Sequence, residues 1–88
     1  MRNGRVMELF TQREEASNQY LTSDSDRLYS FGTIVAEWDY PILYINNNPR
    51  YVGYANTLVN MLVDEDIEIV FVNNVPIGAK SLTNIEQQ

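Results

Sequence analysis

Eighty-eight residues suffice for about one domain, and 44% apolar with 20% charged residues is an ordinary globular mixture, so the chain is expected to fold. It has no histidine and no cysteine, which removes the side chain that titrates near neutral pH, thiol chemistry, and the usual zinc and copper sites. Twelve carboxylates against six Lys and Arg, a net charge of −6, argue against direct nucleic-acid binding and against a polybasic membrane patch.

In chain order, residues 1–5 are polar and read as a loose terminus with no secretory apolar stretch behind it. Val6 to Phe10 fits a short strand or a first helical turn. Thr11-Gln-Arg-Glu14 has capping-box spacing, with the Thr hydroxyl accepting from a backbone N–H and Glu14 reaching back to the cap. A helix is therefore expected from about Gln12 to Leu21, docked by a narrow stripe of Ala16, Tyr20 and Leu21, and ended by the polar loop Thr22 to Asp26.

Leu28 to Trp38 reads as the best strand of the first half, with Gly32 marking a bulge or a closely approaching neighbour. Asp39-Tyr-Pro41 is a turn, and Ile42 to Ile45 returns to complete a hairpin. Asn46 to Pro49 forms a second turn, after which Tyr51 and Val52 suit a brief third strand. From Tyr54 to Val63 the apolar positions Ala55, Leu58, Val59 and Leu62 recur at helical spacing. That period favours a helix start near Tyr54. A competing start takes Asn48 as cap and Pro49 in the first turn, and encloses Gly53 at a cost of about 1 kcal/mol.

Ile67 to Val72 is apolar on both sides apart from Glu68, so a central or covered strand is expected. Asn73-Asn74 suits a hairpin turn, with Val75 to Ile77 returning on an edge because Pro76 lacks an N–H. Residues 78–88 are polar and expected to be flexible. The whole, 1–88, is expected to be a single small α+β domain with a mostly antiparallel sheet and one or two packed helices. A core this small is often supplemented by self-association, so a homodimer is expected.

Glu37 and Asp39 flank Trp38 and share one side of an extended strand, a spacing that lets two carboxylates reach one ligand; a solvated turn is the plainer reading. Asp64, Glu65, Asp66 and Glu68 form the densest acidic cluster, without the glycine an EF-hand uses, so no metal is expected. Negative charge at a helix C-terminus is unfavourable, which points to another use for it. Ser23, Ser25 and Ser30 lack a histidine to activate them, and no cofactor loop is present, so no catalysis is expected. Aromatic residues are more numerous than a small core can cover, and Trp38 and Tyr40 are expected at a protein interface. The candidate partner-binding residues are Glu37, Trp38, Asp39, Tyr40, Asp64, Glu65 and Asp66.

At Ser30-Phe-Gly-Thr-Ile-Val-Ala-Glu37, Leu43-Tyr-Ile-Asn46 and Tyr51, the chain resembles a group of small phage-encoded domains of unknown function. Their pattern is Ser-Tyr-x-Thr-x-Val-Ala, a turn, Leu-x-x-Asn, and a Tyr preceding a helix. Val52-Gly-Tyr-Ala-Asn56 stands where the group carries Thr-Thr-Ser-x-His, so no role tied to that stretch carries over. Together with the acidic balance and the missing catalytic groups, the resemblance implies a non-enzymatic accessory protein of a phage or mobile element, without cofactor, in the cytoplasm of a bacterial host. It is expected to bind and inhibit a host protein with a basic nucleic-acid-binding surface, such as a defence nuclease, in the manner of anti-CRISPR or anti-restriction proteins. One alternative is a structural or assembly subunit that joins copies of itself. Another is a calcium-binding or carboxylate-based enzyme using Glu37 and Asp39.

Overall fold

The computed structural model describes residues 1–83, and its first element is a helix, α1 (Asn3–Thr11). Val6, Met7 and Phe10 share the buried side of this helix. Nine residues are too few for a stable isolated helix, so packing of that side holds it. The helix expected over 12–21 is absent, because Thr11 to Glu14 is a helix stop. The N–H of Arg13 donates to the Phe10 carbonyl and that of Glu14 to the Leu9 carbonyl, both at 2.9 Å, with Arg13 at a positive φ of 60°. These are the two bonds of a Schellman ending. The chain then continues into β1 (Glu15–Ser17) and β2 (Leu21–Asp24), and Asn18 closes the turn between them by accepting from the N–H groups of Tyr20 and Leu21.

Four further strands follow: β3 (Arg27–Ser30), β4 (Thr33–Asp39), β5 (Ile42–Asn46) and, after a helix, β6 (Glu68–Val72). The long strand expected from Leu28 to Trp38 is split, because Phe31 and Gly32 both take positive φ (49° and 83°) and form a two-residue hairpin turn. Gly32 thus belongs to a turn and not to a bulge. The bulge lies further on, where Ala36 opposes Leu28 and Ile34 opposes Tyr29, leaving Val35 as the extra residue. Val35 and Ala36 both pack with the helices, while Ile34 and Glu37 reach the opposite side.

The strands lie in sequence order, antiparallel from β1 to β5, and β6 runs parallel to β5. A parallel neighbour requires a crossover, supplied by a 3-10 turn (Pro49–Tyr51) and helix α2 (Val52–Met61). The Asn48 side chain accepts from the Arg50 N–H at 2.9 Å, with Pro49 in the first turn. The earlier start is therefore the one adopted, Gly53 lies inside α2, and Tyr51 and Val52 form no strand. Buried Asn46 secures the approach: its amide donates to the Ile34 carbonyl (2.8 Å) and its oxygen accepts from the Asn48 N–H (2.9 Å).

The chain is an α+β fold with both helices on one side of the sheet. Val6, Phe10, Leu58 and Leu62 pack there against Leu21, Leu28, Trp38, Leu43 and Ile45. Each such large side chain contributes about 1.5–3 kcal/mol by leaving water. The other side is covered by residues 73–83, which form a strap rather than the expected hairpin return. Val75 and Leu82 pack on Ile34 and Val72, and the Ile34 N–H donates to the Ala79 carbonyl at 2.8 Å. Residues 78–83 are thus held in place; the remainder of the tail expected to be flexible, 84–88, lies outside the described residues. At the other terminus, Asn3 to Arg5 belong to α1, and Asn18 donates to the Met1 carbonyl and the Asn3 side chain. The strand β6, expected to be central or covered, is the last in the sheet.

Candidate functional site

Trp38 and Tyr40 stand two residues apart where β4 enters its turn toward β5, and this spacing directs them to the same side. Trp38 is buried; its indole N–H donates to the Phe10 carbonyl at 2.9 Å, and its ring lies 6.1 Å from that of Phe10. The tryptophan therefore joins the end of α1 to β4 and serves as a base for Tyr40, whose ring centre is 5.8 Å away and which is 60% exposed.

The ending of α1 brings a third group to this stack. The guanidinium of Arg13 lies 4.4 Å from the Tyr40 ring centre and 5.7 Å from that of Trp38. Glycine is the usual occupant of the left-handed position that Arg13 fills, and another residue there costs about 1 kcal/mol. A cation on an aromatic face returns about 0.5–1 kcal/mol at an exposed site. An Arg placed there at such a cost is a reason to look for function.

The opposite wall comes from the turn after α2. The Glu65 N–H donates to the Leu62 carbonyl at 3.0 Å, and this turn presents exposed Glu65 and Asp66. Between the walls is an open cleft of about 400 Å³, in which Arg13, Trp38, Tyr40, Glu65 and Asp66 meet. Four of the seven residues singled out from the sequence thus converge. Asp39 and Asp64 are exposed but do not line the cleft.

Glu37 is used elsewhere. It is buried on the opposite side of the sheet, and its carboxylate accepts from the Leu82 N–H (2.7 Å), the Ser81 hydroxyl (3.0 Å) and the Arg27 guanidinium (3.3 Å). Burial alone raises its pKa. The Leu82 and Thr83 N–H groups, the Ser81 hydroxyl and the Arg27 charge outweigh that and hold the carboxyl below its ordinary value. Its role is to fasten the strap, and burial removes both Glu37 and Trp38 from direct contact with a partner. Among the described residues no group of three or more carboxylates converges as metal ligands.

One contributor to the cleft, Arg13, and one exposed aromatic outside it, Phe31, escape a reading of the sequence alone. The capping-box spacing puts Arg13 in the first turn of a helix, and only its place one residue past a helix cap singles it out. The alternation from Leu28 to Trp38 puts Phe31 in a strand, yet it sits at a turn, 77% exposed, with its ring edge-on to Tyr20 at 6.0 Å. A Phe-Gly pair between two alternating apolar runs was the available signal. No family model, curated protein or solved structure matches the chain. No helix among the described residues is long and apolar enough to cross a membrane.

Proposed function

We propose that this chain is a non-catalytic recognition protein whose cleft binds another protein through a basic surface element. The single observation that supports this most is that exposed Tyr40, seated on buried Trp38, meets Arg13 beside Glu65 and Asp66. Tyr and Arg are among the residue types that dominate binding energy at protein interfaces, Tyr because it buries large area with few lost rotamers and Arg because its planar fork offers several donors. The adjacent carboxylates suit a Lys or Arg of the partner, and apart from buried Glu37 every carboxylate among the described residues is exposed. A surface of this kind complements a basic nucleic-acid-binding face. The setting we favour is a phage or mobile-element accessory protein that occupies such a face on a host protein in the bacterial cytoplasm and thereby inhibits it.

Affinity capture from a bacterial lysate, with identification by mass spectrometry, tests the proposal. The wild-type chain is expected to retain a basic protein, with retention lost in Tyr40→Ala and in the double variant Glu65→Lys/Asp66→Lys. Retention unaffected by both variants, or retention of nothing, defeats it.

A further inference from the structure

The two outer strands of the sheet are unequal. β1 is only three residues long, which is how natural sheets blunt an edge; β6 has five residues, Glu68-Ile-Val-Phe-Val72, with one charge at its start and no proline, no lysine and no bulge. The Glu68 N–H donates to the Pro41 carbonyl and the Val72 carbonyl accepts from the Asn47 N–H, both toward β5. Alternation along the strand then turns the N–H and C=O groups of Ile69 and Phe71 away from β5, and among the described residues no strand pairs with them. Phe71 is 47% exposed and borders a groove of about 500 Å³ shared with Val52 and Asn56 of α2.

We infer that β6 pairs antiparallel with β6 of a second copy, about a two-fold axis at Val70, to form a homodimer. In this register Ile69 of each copy faces Phe71 of the other. Both present their outward N–H and C=O groups, so each such pair exchanges two hydrogen bonds. Both side chains lie on the helix side of the joined sheets, as an aromatic and a β-branched residue, a favourable cross-strand combination.

The second copy is the partner whose own β6 supplies both the matching outward groups and the Ile69–Phe71 pairs, and charge sets the antiparallel direction. The acids Asp64, Glu65, Asp66 and Glu68 cluster at the start of the strand. Its far end opens on a cleft of about 450 Å³ lined by Asn47, Asn48, Asn73 and Asn74. Antiparallel pairing sets each acidic end against an amide end, with Glu68 facing Val72 of the second copy and diagonal to its Asn74. Parallel pairing of two copies would stack acid on acid. This inference stands independently of the Arg13–Tyr40 cleft.

Sedimentation and amide hydrogen exchange, from micromolar to millimolar concentration, test it on the wild-type chain. The mass is expected to rise from that of one chain to two. The amides of Ile69 and Phe71 are expected to gain protection with concentration, while those of Glu68, Val70 and Val72 stay constant. Phe71→Lys, and Val52→Lys on the exposed side of α2, are each expected to weaken association about tenfold or more, with circular dichroism confirming that the variants fold. A monomer throughout the range overturns the inference. So does a dimer in which the Ile69 and Phe71 amides remain unprotected, or one that forms equally well in folded Val52→Lys and Phe71→Lys.

Discussion

At the scale of single residues, Glu37 is where charge and fold are most tightly coupled. Its folded pKa lies below the unfolded value, so the carboxylate contributes stability that is fully present above the ordinary glutamate value of about 4.3 and is lost as the pH falls from there through the lower folded value. The fastening of residues 81–83 is therefore expected to loosen in acid, with protection of the Leu82 amide disappearing before global unfolding. Glu37→Gln keeps an acceptor for Leu82 but turns an amide N–H₂ toward other donors. It is expected to cost about 2 kcal/mol at neutral pH and to flatten this acid dependence, measured by urea unfolding at several pH values. Gly53 offers the opposite case. It lies inside α2 with nothing within 4 Å of where a Cβ would sit, and its φ is not positive. Gly53→Ala is expected to stabilise the chain by about 0.5–1 kcal/mol, read as a rise in Tm of several degrees.

At the scale of elements, turns decide where strands begin and end. The β3–β4 turn holds Phe31 at a φ that suits Asn or Gly far better than an aromatic residue, and the side chain gains only an edge contact with Tyr20 in return. Phe31→Asn is expected to raise stability by about 0.5–1 kcal/mol; a fall in the unfolding midpoint would mean that the Tyr20 contact outweighs the backbone strain. The same balance appears at the end of α1, where Arg13 occupies a glycine position and is held over Tyr40. Two exposed aromatic residues with unfavourable or unusual surroundings thus sit at opposite ends of β4, which spans about 23 Å at 3.3 Å per residue.

For the whole molecule, the net charge of −6 gives the two proposed contacts opposite salt responses. Capture of a basic partner by Glu65 and Asp66 is expected to weaken as salt screens the attraction. Pairing of two like-charged copies along β6 is expected to tighten as salt screens their repulsion. Measuring both over the same range of sodium chloride separates them; a common direction would mean that one of the two surfaces is misassigned.

Composition alone shows that this sequence holds no imidazole and no thiol, since composition does not depend on folding, and elements whose signals are local can be read from short stretches. Asp39-Tyr-Pro41 ends a strand for such a short-range reason, whereas the apolar period of Ala55, Leu58, Val59 and Leu62 favours a helix start near Tyr54 and the structure adopts the competing one at Asn48-Pro49. The α+β class follows from such signals taken together. Tertiary structure decided the rest. Thr11 to Glu14 has the spacing of a helix start, yet the apolar side of Val6, Met7 and Phe10 finds a sheet to pack against, so the helix precedes that segment instead of following it. Four of the candidate residues meet because the end of α1, the turn after β4 and the turn after α2 converge, and no periodicity encodes that meeting. Glu37 looked like a surface acid until the strap, some 45 residues later in the chain, supplied the N–H groups that keep its charge buried. Partners so distant in sequence leave no pattern within the few residues over which helical and strand periods are read, and only the packed chain brings them together.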